Sequence, residues 1–438
     1  MIGALILAAA AAATAPPAAP PAPKAEVVKL DDGTRFDLAV DGPLLDWSVV
    51  RRGGRSLLLL LAGPADKKKE SSTCSVEAIP APAPRNDARL FAWDPSKPDA
   101  LVPLEGALAE GMLDAVDLDG DGNDEVLLFA EAGIAELALD VEAKTATART
   151  LAQGRYVPVE RGASKTGIVR AVGLGALTTF RRTPEGALRP ASEVELPVRV
   201  SPSPSRVRVR TRGVDAIGAT ADGRARFATA PEPIGVERLR TIVLDPDGPP
   251  DARSFEAWAR FPSRERAMEH DLLRLDGRPV LVVLTTTADK LSLFGEKKLR
   301  VFPLEPDRTR MGVAPALALE TGINLWQTAS PTFTDLDGDG REDLVLAYWK
   351  GLSDTISALE VHKRNADGSL SSGSTFDFDV ADGDRGFLDF GHDLDGDGRP
   401  DLVLRAAGAL AVYPGAPKAQ AIGKPVAKAP SRRVTLPA

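Results

Sequence analysis

Residues 117 to 125 read Asp117-Leu118-Asp119-Gly120-Asp121-Gly122-Asn123-Asp124-Glu125. Two later stretches repeat them almost letter for letter: Asp335-Leu336-Asp337-Gly338-Asp339-Gly340-Arg341-Glu342-Asp343 and Asp393-Leu394-Asp395-Gly396-Asp397-Gly398-Arg399-Pro400-Asp401. Each places acidic residues at positions 1, 3, 5 and 9 of a nine-residue segment. Carboxylates crowded this way repel one another unless a cation sits among them. Hard oxygen donors in a flexible loop suit Ca²⁺, which takes about six to eight of them. The glycine at position 6 permits the positive φ that folds the chain back on an ion. Position 7 then offers a backbone carbonyl. The expected donors are Asp117, Asp119, Asp121, Asn123 and Glu125 in the first loop and Asp335, Asp337, Asp339, Arg341 and Asp343 in the second. In the third they are Asp393, Asp395, Asp397, Arg399 and Asp401, for about three Ca²⁺ in all. Glu125 is longer than the Asp of its counterparts, and the sequence leaves open whether it ligates.

An EF-hand opens the same way, but it needs a bidentate Glu at position 12 and flanking helices. Position 12 here is Leu128, Leu346 and Leu404, each inside a strand-like apolar run, which excludes that reading. A solvated Asp-Gly hairpin turn would explain a single copy. Three copies sharing the same four acidic positions point to a metal.

Composition bounds the rest. The chain has 438 residues, 43% of them hydrophobic, so it can bury a large core, and its formal charge is -8. That balance argues against a nucleic-acid partner, which selects a basic face. Much of the acid lies in the three loops, where divalent ions would offset it. Residues 1–15 read as an export signal: an apolar, alanine-rich run too short to span a membrane, followed by small-residue cleavage sites. Residues 16–30 form a Pro/Ala linker, and 414–438 an Ala/Pro/Lys-rich tail that is a candidate for a closing strand. No later segment is apolar enough for a membrane span. Cys74 stands alone, so no internal disulfide forms. Export would carry the loops into a compartment rich in Ca²⁺, periplasmic, cell-surface or secreted.

Between linker and tail the local signal is β. Each acidic loop is followed by a short apolar run (Val126–Phe129, Leu344–Ala347, Leu402–Leu404) and preceded by another, as at Pro331–Thr334. No sustained helical period appears, and the best helical candidate is the short Ser254–Arg260. Weaker copies of the unit occur. Leu272 to Val283 keeps Asp276 and Gly277 but has lost the other acidic positions. Asp222-Gly223 and Gly53-Gly54 keep less. The position-6 glycines Gly54, Gly122, Gly223, Gly277, Gly340 and Gly398 recur about every 60 residues, apart from one long gap. A hidden copy near Ile168 to Gly175 fills the gap and makes seven units.

The stretch Asp393 to Leu404 resembles the FG-GAP/VCBS repeat, the unit of integrin α-chain-like β-propellers. The resemblance is intact in three units and degenerate in four. It implies an all-β fold over residues 31–413: a seven-bladed β-propeller of four-stranded antiparallel blades, with Ca²⁺ in the loop between the first two strands of some blades. It implies no single activity; such propellers adhere or bind ligands.

Catalytic constellations are absent from the sequence. His270, His362 and His392 are scattered, and no Gly-x-Ser-x-Gly elbow, Walker A loop or His-Glu-x-x-His occurs. His392 directly precedes the third loop and is placed to pack or tune it. Trp47, Trp93, Trp258, Trp326 and Trp349 are unevenly spaced, which favours packing over a sugar-stacking platform. The expectation is an exported, calcium-binding, non-enzymatic module whose partner is a protein or glycan. A propeller-based enzyme acting on extracellular glycans and a purely structural envelope protein stay open beside it.

Overall fold

The computed structural model describes residues 35–40, 42, 44–64, 86–98, 100–159, 167–196, 214–219, 225–229, 231–233, 238–249, 253–260, 265–287, 296–304, 315–324, 329–336, 339–348, 358–371, 373–377, 388–394, 401–406, 409–413 and 431–434. The export signal, the linker, Cys74, Asp222-Gly223, Trp326 and Trp349 lie outside them, as does most of the C-terminal tail. Every element is a strand, and no helix occurs among the described residues.

The strands follow one another as antiparallel meanders. β1 (Arg35–Ala39) leads the chain. β2 (Leu44–Arg52), β3 (Arg55–Ala62), β4 (Ala88–Trp93) and β5 (Leu101–Leu108) form one meander. β6 (Gly111–Val116), β7 (Glu125–Ala130), β8 (Gly133–Asp140) and β9 (Thr145–Gln153) form the next. A single parallel bridge, Glu105 to Thr145, joins these two into one eight-stranded sheet. β10 (Val157–Pro158), β11 (Ile168–Val172), β12 (Ala176–Arg182) and β13 (Leu188–Glu195) make a four-stranded sheet where the sequence spacing left its gap.

Then come β14 (Val214–Ala219), β15 (Ala225–Thr229), β16 (Glu232–Pro233), β17 (Arg238–Leu244) and β18 (Ser254–Arg260). β15 and β16 pair with successive parts of β17. β19 (Glu265–Leu275), β20 (Arg278–Thr287), β21 (Glu296–Pro303) and β22 (Leu317–Asn324) form another four-stranded sheet. β23 (Ala329–Thr334), β24 (Asp343–Tyr348), β25 (Ala358–His362) and β26 (Ser374–Asp377) form one more. β27 (Leu388–His392), β28 (Asp401–Ala406) and β29 (Ala409–Tyr413) end the series, with β30 (Ser431–Val434) near the C-terminus.

Ser254–Arg260 is a strand, not a helix. Ala257 and Ala259 are buried while Glu256 is exposed and Trp258 half-buried, the two-residue period of a strand, and the segment pairs with the whole of β17. Arg240 on β17 reaches Glu256 at 3.0 Å and lies over the Trp258 ring. These cross-strand contacts outweigh the local propensity of a seven-residue segment.

The middle strands explain the continuous apolar runs. On β3, Leu58 and Leu60 pack into one core, while Leu59 and Leu61 pack into another. On β20, Leu281 and Val283 face the β14–β18 sheet, while Val280, Val282 and Leu284 face the β23–β26 sheet. A strand covered on both faces loses the usual polar alternation. Among the described residues, six cores of this kind lie between neighbouring sheets. Leu113 and Val126 meet Leu59 and Leu90 in one, Phe129 meets Phe180 in another, and Leu177 meets Phe227 in a third. First strands also neighbour first strands: β2 lies by β6, β6 by β10, β14 by β19, β19 by β23 and β23 by β27. The architecture is all-β and propeller-like.

Closure comes from the N-terminal strand. β1 pairs antiparallel with β29 and parallel with β30, so the first described strand completes the last sheet. Its Leu38 is buried with Val403, Val412, Trp47 and Trp93, and Phe36 packs against the Trp93 ring at 5.4 Å. The last sheet thereby shares a core with the first full one. Leu38→Ala should lower stability by about 2–5 kcal/mol, the usual cost of emptying a fully buried leucine site. Urea unfolding reads the change; a loss under about 1 kcal/mol would mean that β1 does not hold the closure.

Candidate metal loops

All three acidic segments lie between the first and second strands of their sheets. The strand pairs end on Val116–Glu125, Thr334–Asp343 and His392–Asp401. Position 9 is therefore the first residue of the second strand each time. One hydrogen bond recurs in all three: the amide of the position-2 leucine donates to the position-9 carboxylate. The distances are 2.6 Å for Leu118 to Glu125, 3.3 Å for Leu336 to Asp343 and 2.6 Å for Leu394 to Asp401. The leucines themselves are 1%, 6% and 4% exposed, so each loop is plugged into the core beneath it. The motif's chemistry singles out the acids and not these leucines, although their threefold repetition is a signal in the sequence.

Position 1 organises the turn. Asp117 accepts the amides of Gly120 at 2.6 Å and Gly122 at 3.1 Å; Asp335 accepts those of Asp339 at 3.0 Å and Gly340 at 2.8 Å. The position-6 glycines Gly122 and Gly340 have φ of 87° and 85°. A Cβ there would meet nothing within 4 Å. It is therefore the left-handed backbone, and not lack of room, that calls for glycine.

The first loop draws Asp117, Asp119 and Glu125 together, with one oxygen from each inside a 4.8 Å group. Asp121 is not part of it. Its oxygens accept the backbone and side-chain amides of Asn123, at 2.7 and 3.1 Å, and these bonds hold its carboxyl below the ordinary range. Glu125 is shifted the other way. Burial raises its carboxyl above the usual range, opposed by the Leu118 amide and reinforced by the charge of Asp119. Arg182 of the following sheet stands 3.9 Å from its other oxygen.

In the second loop Asp339 accepts the Arg341 amide at 2.9 Å and pairs with the Arg341 guanidinium. Asp343 uses its second oxygen for the Arg364 amide at 2.8 Å. Asp337, Asp395, Asp397 and Arg399 lie outside the described residues. In the third loop Asp393 and Asp401 are placed, and His392 is the register partner of Asp401. The donor set chemistry fits a hard cation: the gathered atoms are all carboxylate oxygens, in a loop already curled by its own amides.

Two of the degenerate units have a different local form. Gly53 and Gly54, with φ of 58° and 73°, and Asp276 and Gly277, with φ of 52° and 68°, are tight two-residue hairpin turns. Asp276 bonds Arg364 at 2.7 Å and, among the described residues, is no part of an acidic group.

Residues 335–404 match the family model described as an FG-GAP-like repeat. That segment, similar to an FG-GAP-like repeat, contains the second and third acidic loops. No curated protein matches the chain. Among solved structures it is similar to the WD40 domain of Toxoplasma gondii coronin (10% identity, 92% of this chain and 95% of that one, TM-score 0.46). It is also similar to the Dos1 propeller (9% identity, 90% and 96%, TM-score 0.44). A protein from Lactobacillus plantarum is a further likeness (15% identity, 82% and 97%, TM-score 0.38). Among the described residues no helix is long and apolar enough to cross a membrane.

The sign of the Glu125 shift gives a test. A carboxyl whose folded pKa is raised contributes stability below its unfolded pKa and loses it as pH rises through the folded value. At neutral pH in chelator the buried charge is therefore a cost. Glu125→Gln keeps an acceptor for the Leu118 amide and should melt at or above the wild-type temperature in chelator. A clearly lower melting temperature there would show that the charge itself holds the empty loop together.

Proposed function

We propose that this chain is an exported, calcium-binding propeller of seven four-stranded blades that serves as a non-enzymatic module for binding a protein or glycan partner. The observation that carries the calcium reading is the repetition of one loop, at one place in three sheets, with the same closing hydrogen bond. Asp117, Asp119 and Glu125 would hold the first ion, with Asp121 turning from Asn123 toward it and the Asn123 carbonyl as a further donor. Asp335, Asp337, Asp339 and Asp343, with the Arg341 carbonyl, would hold the second. Asp393, Asp395, Asp397 and Asp401, with the Arg399 carbonyl, would hold the third. The cation supplies positive charge where the loop concentrates negative charge. The chain's own residues do the remainder: they curl the loop, bury its leucine and aim the carboxylates.

Seven blades are supported by the meanders, when the eight-stranded sheet is taken as two and β1 as completing the last. A module role is supported by the propeller-like frame and by the concentration of acid in the three loops. Export is supported by residues 1–15 and by the affinity expected of extracellular calcium modules, roughly 10⁻⁴ to 10⁻³ M or somewhat tighter given four carboxylates.

Metal analysis of the purified chain should find about three Ca²⁺. Asp397→Ala should remove one, and Asp276→Ala none. Release of an ion by Asp276→Ala would place a site at a hairpin turn and contradict the assignment. Folding assembles the sites, so each should add about 2.7 kcal/mol at 100 times its dissociation constant. Chelation should lower the melting temperature in a graded way, because four units carry no acidic loop. A melting curve identical in excess Ca²⁺ and excess chelator would refute calcium binding to the folded chain.

A further inference from the structure

Two of the three acidic loops are gripped by the sheet before them, and each grip comes from a tight turn that has lost the acidic motif. Below the β2–β3 turn, the Arg51 amide donates to Asp124 Oδ2 at 2.8 Å, and Arg51 Nη2 donates to Asp124 Oδ1 at 3.0 Å. The Asp124 amide donates back to the Arg51 carbonyl at 2.9 Å, and Gly53 donates to Asn123 Oδ1 at 2.7 Å. At the β19–β20 turn, the Asp276 amide donates to Glu342 Oε2 at 2.5 Å. Arg364 ties the same turn to the loop, bonding Asp276 Oδ1 through its side chain at 2.7 Å and Asp343 Oδ1 through its amide at 2.8 Å. The residues held are Asp124 and Glu342, both at position 8, directly before the position-9 carboxylate.

Neither position-8 residue belongs to the expected donor set, so the motif does not explain them. Their common feature is the seam. Each fixes the end of its loop, where the chain enters the next strand, to the backbone of the preceding hairpin. A loop already ordered at that end has less conformational freedom to lose when a cation arrives. Coupling of this kind is reciprocal: if the grip strengthens cation binding, the cation strengthens the grip by the same factor. The third loop has Pro400 at position 8, which offers no carboxylate for such a bond.

We propose that the Gly53-Gly54 and Asp276-Gly277 turns, through Arg51, Asp124, Glu342 and Arg364, are positioning elements for the acidic loops of the following sheets. Cation binding in those loops and closure of the seams between sheets then reinforce one another. This rests on the calcium reading above and adds a regulation to it: calcium level sets how firmly adjacent sheets are joined.

Amide hydrogen exchange of the full chain, followed as Ca²⁺ is titrated, tests it. The amides of Arg51 and Gly53 should gain protection with the same midpoint as those of Gly120 and Gly122. Arg51→Ala removes a largely exposed side chain and should leave the fold intact. It should move the midpoint of the first loop at least about fivefold to higher Ca²⁺ and leave the second loop unchanged. Glu342→Ala should do the reverse. Loops that gain protection while Arg51 and Gly53 stay unchanged, or an Arg51→Ala midpoint equal to wild type, would overturn the coupling and leave calcium binding standing. Loops that gain no protection at any Ca²⁺ level, in a chain that carries no metal, would overturn the calcium reading and the coupling with it.

Discussion

Each acidic loop hangs on one hydrogen bond, from the amide of its buried leucine to the carboxylate that opens the next strand. The bond ties the start of the loop to its end. It leaves the leucine buried and, in the first loop, brings Asp117, Asp119 and Glu125 together. Without such a tie, segments with this density of like charge would open under their own repulsion. With it, Asp117, Asp119 and Glu125 are held close, and backbone amides meet part of their demand. What the amides do not meet is positive charge.

The same economy shapes the rest of the molecule. A sheet of short strands has two apolar faces, and a neighbour must cover each. Middle strands therefore send alternate side chains into different cores, as Leu58 to Leu61 do on β3. Sheet follows sheet, and the series closes because β1 returns to β29 and brings Leu38 and Phe36 to the core beside Trp93. The acidic loops sit on this frame at sheet junctions. Their contacts to Arg51, Gly53, Asp276 and Arg182 all reach into neighbouring sheets.

The loops and the strands beside them were legible in the sequence because both are local. The nine-residue motif, the glycine at position 6 and the apolar run after it all act within one hairpin. The period of about 60 residues also located the sheet at Ile168–Val172, where the motif has decayed. What was not legible depends on partners far along the chain. Ser254–Arg260 carries no strand signal strong enough to oppose a helix until β17 lies alongside it. Asp124 and Glu342 look like ordinary charged residues until the preceding hairpin supplies the amides they accept. Asp121 belongs to the motif, yet its carboxylate is engaged by Asn123, a contact that motif matching does not weigh.

The central claim is that these loops are cation sites built into the joints between sheets. Anomalous diffraction from crystals grown with Ca²⁺ tests it most directly. The account predicts an anomalous peak inside each of the three loops, ringed by oxygens at about 2.3–2.6 Å, with Asp121 turned inward to join Asp117, Asp119 and Glu125. Loops without anomalous density at saturating Ca²⁺, with Asp121 still bonded to Asn123, would contradict it.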